Sequence, residues 1–232
     1  MLNTTWHDDY DETRKCGVLT SGRFGTIHLV DMTTETDVGF HYIIKELVFD
    51  LRRRHDRNIL KTDKQEFENE VSIQRDVVEL GLAPRILFVD HSDTGGIICM
   101  VRMKRTLRAY IHDMDIGTDP HHRLIEIFGT ILVNIQTLHD NNIMHNDLHL
   151  ENMMFDTENR MYFIDFGKSL RSGHRMFDPW VDYQTVVEFY MIAYRKLNIE
   201  SVVVGFEHIL LDMADRVFKN GKRVSDWSSN RA

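Results

Sequence analysis

Cysteine is scarce, with only Cys16 and Cys99 in 232 residues. Two are too few for a disulfide-stapled fold, and they read as free thiols of a reducing compartment rather than as a bridge. Proline is nearly as rare, and none of the three falls inside a predicted helix, so the helical patterns run uninterrupted. No apolar run approaches the roughly 18 residues of a membrane span. The opening MLNTTWHDDYDETRK lacks the apolar centre of a signal peptide. Positive charge is also short: the net charge is −8, which argues against nucleic acid as the main partner. The run LRRRHDRNILK, residues 51–61, is the one stretch left for contact with RNA, an acidic protein or an import factor. A solvated helix face or loop is its commoner reading. Internal repeats and low-complexity tracts are missing as well. These absences leave a soluble intracellular protein, sized for one domain or two small lobes around a cleft. Its apolar fraction of 42% is enough to build a real core.

What is present divides near residues 102–105. Before that point strands dominate. CGVLTSGRFGTIHLVDM is two apolar runs about a Ser21–Gly25 turn, a hairpin pattern. VGFHYIIKELVF is a third strand. DKQEFENEVSIQRDVVELG predicts a helix with acidic residues at its front and Gly81 as its stop. RILFVDHSDTGGIICMVRM predicts a second hairpin with Asp93-Thr94-Gly95-Gly96 at the tip. After it, HRLIEIFGTILVNIQTLHDNN carries Leu124, Ile127, Phe128, Ile131, Leu132, Ile135 and Leu138 on one helical stripe. Short strands follow in NMMFD and MYFIDFG, about the turn TENR. WVDYQTVVEFYMIAYRKL is apolar almost all round, a buried helix. VGFEHILLDMADRVFKNG closes the chain as an amphipathic helix.

The polar residues concentrate in IMHNDLHLENMMF, residues 143–155, and in YFIDFGKS downstream. Asp147, Asn152 and Asp165 are oxygen donors at or beside strand ends, a set suited to a hard cation such as magnesium. A carboxylate there can also take the proton of an attacking hydroxyl. Gly22 and Gly25 at a hairpin tip leave backbone N–H groups open to phosphate. Lys45 stands inside an apolar strand, where an unpaired ammonium is costly. Pairing with Glu70, or with the neighbouring Glu68, resolves both burials. His145 and His149 lie four apart, and a zinc reading competes. The loop setting and the lack of a nearby third ligand favour His145 as a packed histidine bonded to backbone. His121-His122 after Pro120 reads as a solvated helix start.

In these stretches the chain resembles the protein kinase superfamily. LTSGRFGTI corresponds to the glycine-rich loop, YIIK to the lysine strand, FENEVSIQ to the glutamate helix, HNDLHLEN to the catalytic loop and IDFG to the metal-binding turn, in order over roughly residues 17–190. The resemblance implies an α+β, bilobal protein-kinase-like fold. Its N-terminal lobe, residues 1–103, is an antiparallel sheet with one main helix, and its reduced, mainly helical C-terminal lobe is residues 104–232. It implies ATP as cofactor, bound by Leu19, Gly22, Gly25, Ile27, Lys45 and Glu70. Magnesium, or manganese in its place, would be held by Asn152 and Asp165. Asp147 is the expected base, with Lys45 and His149 the other catalytic residues. A protein hydroxyl, serine or threonine, is the expected acceptor.

Several departures bear on the branch. Thr20 fills the first glycine slot, and Ile43 stands where an alanine often faces adenine. Asn146 replaces the arginine that elsewhere pairs with a phosphorylated loop. His149 replaces a phosphate-contacting lysine. Only KSLRSGHRMFDPW separates Gly167 from VDYQTVVEF, without an APE motif, and Asp182 corresponds to the aspartate that anchors the catalytic loop. This compact plan is similar to RIO kinases, the KEOPS-complex kinase and short kinases of large DNA viruses. The expected location is cytoplasmic or nuclear, or the host cell interior for a viral chain. The expected partners are a protein substrate and a partner subunit, with no membrane. A kinase-fold ATPase or scaffold subunit and a small-molecule phosphotransferase stay open as alternatives.

Overall fold

The structure, a computed structural model, describes residues 15–22, 25–30, 42–49, 57–114 and 120–196. The expected helix near residues 204–221 lies outside them. Strands β1 (Lys15–Gly22), β2 (Gly25–Val30), β3 (Tyr42–Val48), β4 (Ile86–His91) and β5 (Gly95–Val101) form one antiparallel sheet in the order β1-β2-β3-β5-β4. Helix α1 (Arg57–Glu79) leads from β3 towards β4. Beyond the sheet come β6 (Arg105–Thr106), α2 (Leu107–His112), α3 (Pro120–Asp140), β7 (Ile143–Met144), β8 (Met153–Phe155), β9 (Met161–Phe163), β10 (Leu170–Arg171) and α4 (Trp180–Lys196). Two small sheets, β6-β8-β9 and β7-β10, hold the loops among the helices. The architecture is α+β, as expected. No helix among the described residues is long and apolar enough to cross a membrane.

Alternation along β3 sorts its two faces. Tyr42 and Ile44 are buried with Val30 and Cys99 on one side. Ile43 and Leu47 lie on the other, against Phe67, Val71, Ile98 and Met100. Lys45 shares that second face, opposite Ile27 on β2 and Ile98 on β5. Helix α1 serves two cores. Phe67 and Val71 pack under the sheet, whereas Ile73 and Val77 join the large cluster built on Leu124, Phe128, Ile131, Leu132, Ile135 and Leu138 of α3. Its end is a Schellman turn: Gly81 N–H donates to Val78 O, Leu82 N–H donates to Val77 O, and Gly81 takes φ +73°.

Four expectations are corrected. Helix α1 starts at Arg57, six residues before the expected Asp63, and has no acid in its first turn. Its early residues include the good helix formers Arg, Leu and Lys, which extend the pattern backwards. The basic run 51–61 therefore ends inside this helix. The tip of the second hairpin is Ser92-Asp93-Thr94, because Gly95 and Gly96 already belong to β5. They are glycines for space: a Cβ on Gly96 would sit 2.5 Å from the Phe67 ring, and one on Gly95 2.5 Å from Leu47 O. Finally, α4 is not enclosed all round. It buries Tyr183, Val186, Tyr190 and Ala193 in the large cluster, but leaves Val181 and Ile192 exposed, Ile192 by 53%.

Crowding and open space make opposite predictions for two glycines. Gly96→Ala lowers stability by about 1–3 kcal/mol through overpacking against Phe67. Gly129→Ala, inside α3 where an added Cβ meets nothing within 4 Å, raises it by up to about 1 kcal/mol. Urea unfolding of both variants checks the ranking, and a reversed order would mean that the Phe67 ring yields freely.

Candidate active site

Three elements meet at one buried ammonium. Lys45 on β3 is 7% exposed and Glu70 on α1 2%. Lys45 Nζ donates to Glu70 Oε1 at 2.6 Å and to Asp165 Oδ1 at 2.8 Å. Burial alone would lower the Lys45 pKa, but the carboxylates of Glu70 and Asp165 reverse this and hold it above the ordinary lysine value. Asp165 is also pressed upwards by burial, yet the ammonium wins and keeps it below the ordinary aspartate range. Burial dominates at Glu70, whose carboxyl is pushed up and only partly drawn back by Lys45. The bridge therefore keeps a charged lysine against an ionised Asp165. Asp165 adopts φ +65°, a left-handed conformation uncommon outside glycine and short polar residues. It stands two residues after Phe163, the last residue of β9.

The loop 145–152 is held from behind by Asp182 in the first turn of α4. Its Oδ2 accepts from His145 N–H at 2.8 Å and lies 2.9 Å from His139 Nε2, while Oδ1 accepts from Asn146 N–H at 2.8 Å. His145 is wholly buried, and its Nε2–H donates to Ile164 O at 3.0 Å. Burial lowers its pKa, so the ring stays neutral. Asn152 Nδ2–H donates to Asp147 O at 2.9 Å. This commits the amide nitrogen to the loop and leaves the oxygen as the end suited to a cation. Ile164 N–H donates to Asn152 O at 3.0 Å, tying the loop to the strand that delivers Asp165.

The expected site residues fall into groups. Lys45, Glu70 and Asp165 are joined directly. Asp147 and Asn152 share the loop braced by Asp182, and the turn after Asp165 bonds that same loop. Ile27 lies opposite Lys45, and Gly22 pairs with Gly25 where the first hairpin closes. Gly25 has φ +118°, and a Cβ there would meet Glu46 O at 2.2 Å, so the position demands glycine. Leu19 is exposed on β1. His149 bonds Glu151 at 3.2 Å, and Glu151 is in turn gripped by Arg108. Glu68 is exposed and takes no part in the bridge. No three His, Cys, Asp or Glu side chains form a metal-holding group among the described residues. Cys99 is buried in β5, and burial pushes its thiol up to about 12.

Two participants escaped the sequence reading. Lys168 Nζ lies 2.9 and 3.0 Å from the two carboxylate oxygens of Asp147. Asn69 Nδ2 points at Phe166 O, Gly167 O and Ser169 O, the last at 2.9 Å. An asparagine in mid-helix beside a buried glutamate was the available signal for the second. A lysine after Asp-Phe-Gly reads as ordinary surface charge.

A sheet lysine bridged to a helix glutamate and to an aspartate beside a second Asp–Asn loop defines a kinase-fold protein. The chain belongs to the protein kinase family, whose domain matches residues 14–189. It is similar to serine/threonine-protein kinase N2 of Danio rerio, 29% identical over 160 residues that cover 66% of this chain and 15% of that protein. The chain thus matches only a minor part of that relative's length. The family in general uses ATP with a divalent metal and acts on proteins.

The buried His145 supplies a pH prediction. Its folded pKa lies below the ordinary 6.5, so its contribution to stability is full above that pH and is lost as pH falls, because only the unfolded chain takes up the proton. The resulting slope is up to about 1.4 kcal/mol per pH unit. In urea unfolding at about pH 7.5 and about pH 5.5, His145→Phe should lose less stability between the two than wild type. Equal losses would show that His145 is not the neutral group.

Proposed function

We propose that the chain is an ATP-dependent protein kinase of a compact, atypical branch, transferring phosphate to serine or threonine hydroxyls. The observation that carries this reading is the Lys45 ammonium bonded to both Glu70 and Asp165. Such a bridge aims a fixed positive charge at the space under the β1–β2 hairpin, where phosphates would lie. Gly22 and Gly25, paired where that hairpin closes, present no Cβ at those two positions. The donor set fits a hard divalent cation: Asp165 has one oxygen on Lys45 and a second besides, and Asn152 has its amide oxygen. Magnesium held by these two would neutralise charge on the phosphates and help align them. Lys45 would bind the α- and β-phosphates, with Glu70 fixing its orientation. Asp147 would orient the acceptor hydroxyl and take its proton as the new P–O bond forms and the bond to the departing ADP breaks. Chemistry of this kind relies on positioning and preorganised charge. The serine/threonine choice follows the name of the Danio rerio relative.

A second reading, a kinase-fold ATPase or scaffold subunit, draws support from the short connection, residues 168–179, between the IDFG turn and α4. It offers little platform for a peptide. Pure protein incubated with labelled ATP and magnesium separates the two readings. Wild type should label casein or itself, Asp165→Ala should not, and Asp147→Ala should fall by on the order of 10²–10⁴ in rate. Label transfer persisting in Asp165→Ala would sink the kinase reading. ATP hydrolysis without transfer would favour the scaffold.

A further inference from the structure

Outside the candidate active site lies a cleft of about 540 Å³, within the range of ligand sites. Three segments line it: the α1–β4 connection at residues 81–85, the linker at 101–104 and the β8–β9 turn at 156–162. Backbone bonds join these segments to one another and to their strands. Val101 N–H donates to Arg85 O at 3.1 Å, Lys104 N–H to Phe155 O at 2.7 Å and Phe163 N–H to Leu82 O at 2.8 Å. The cleft is therefore preformed, and an occupant spends little affinity on ordering it. It shares no side chain with Lys45, Glu70, Asp147, Asn152 or Asp165. Val101 packs against the cluster of Val30, Tyr42 and Cys99, on the face of the sheet away from Lys45.

The lining combines apolar surface with unmatched positive charge. Ala83, Pro84 and Met103 are buried and Tyr162 is half-buried. Arg85, Arg102 and Lys104 are exposed, and no carboxylate among the described residues pairs with any of the three. The two carboxylates of the lining are already engaged. Asp156 Oδ1 accepts from Glu158 N–H at 2.8 Å and Arg160 N–H at 2.9 Å, its Oδ2 accepts from Arg160 Nε–H at 2.8 Å, and Glu158 Oε2 lies 3.4 Å from Arg160 Nη2. Solvation explains any one exposed cation. It does not explain three gathered beside apolar ground in a preformed cleft, on a chain of net charge −8.

We propose, resting on the reading of the chain as a protein kinase, that this cleft docks an acidic peptide segment of the protein substrate. Its carboxylates meet Arg85, Arg102 and Lys104, and an apolar side chain covers Met103 and Tyr162. Nucleic acid fits worse, because a phosphate chain would run against Glu158, which is 70% exposed, and would leave the apolar lining unused. The active site calls for such a surface: residues 168–179 offer little platform for a peptide, so affinity for a substrate has to come from elsewhere. Docking at a second place raises the effective concentration of the acceptor hydroxyl near Asp147 without any new contact there.

Fluorescence anisotropy on the full chain tests this. A short labelled peptide of glutamates and leucines should bind saturably, and its glutamine–leucine counterpart should not. Arg85→Gln, Arg102→Gln and Lys104→Gln combined should weaken binding by about tenfold. Arg75→Gln, Arg123→Gln and Arg175→Gln combined remove the same charge from exposed positions outside the cleft and should leave it unchanged. Thermal transitions establish that both triple variants fold. With casein, an acidic protein, as acceptor, the cleft variant should raise KM and keep kcat. Absence of peptide binding, equal losses in the two triple variants, an unchanged KM, or preferred binding of a single-stranded oligonucleotide through the same three residues would each overturn the proposal. The anisotropy does not depend on turnover, so activity persisting in Asp165→Ala would sink the kinase reading and leave the binding result standing.

Discussion

The buried Lys45 ammonium organises everything around it. A charge this enclosed is tolerated only with partners, and removing one partner of such a pair typically costs about 3–5 kcal/mol. Here two carboxylates share the task, one from α1 and one from the turn after β9. The requirement therefore ties sheet, helix and loop together: β3 must present Lys45, α1 must sit with Glu70 inward, and Asp165 must take its left-handed backbone. Glu70 and Asp165 each keep one oxygen outside the bridge, but only Asp165 is open to the site, its side chain 25% exposed against 3% for Glu70. The same constraint that stabilises the fold thereby leaves one donor at the site's surface.

The backbone of the segment beyond Asp165 is held mainly by neutral polar groups. Asn69 reaches three of its carbonyls, Asn146 and Ser169 join it to the loop of Asp147, and β10 pairs with β7. Arg171 adds contacts to Ser72 at 3.1 Å and Asp76 at 2.6 Å on α1. Asn146 spends its side chain on the backbone of Lys168. An asparagine also accepts the φ of +61° found there, a conformation costly for most residues. Amides and hydroxyls thus fix the backbone of this segment, and the Arg171–Asp76 and Lys168–Asp147 ion pairs add side-chain contacts.

Much of this could be seen in the chain beforehand, for identifiable reasons. A lysine within YIIK and a glutamate within FENEV violate the apolar surroundings of their elements, and burial turns such violations into pairs. Asp182 stands out in α4 for the same reason, a carboxylate in an apolar helix, and it proves to hold three nitrogen groups. Lys168 violated nothing, since a lysine after a turn is the commonest of surface residues. The start of α1 was misplaced because acidic residues mark helix entry only on average, and those from Asp63 onward sit one and more turns inside. Gly95 and Gly96 looked like a turn because what excludes a side chain there, Leu47 O at Gly95 and the Phe67 ring at Gly96, lies on other elements. The apolar character of α4 overstated its burial, since pattern reports hydrophobicity and not which neighbour covers it.

Helix α1 is anchored over its second half in two different cores: Phe67 and Val71 under the sheet, Ile73 and Val77 among the helices. Each such side chain, fully buried, stabilises its place by roughly 1.5–3 kcal/mol. Swinging the helix outward would break into both interiors and sever its tethers to residues 166–171. A small molecule that must wedge α1 aside would spend most of its affinity on that rearrangement, whereas one that accepts the helix as it stands would not. Inhibitor chemistry against this chain is thereby steered towards compounds fitted to the closed Lys45–Glu70 geometry.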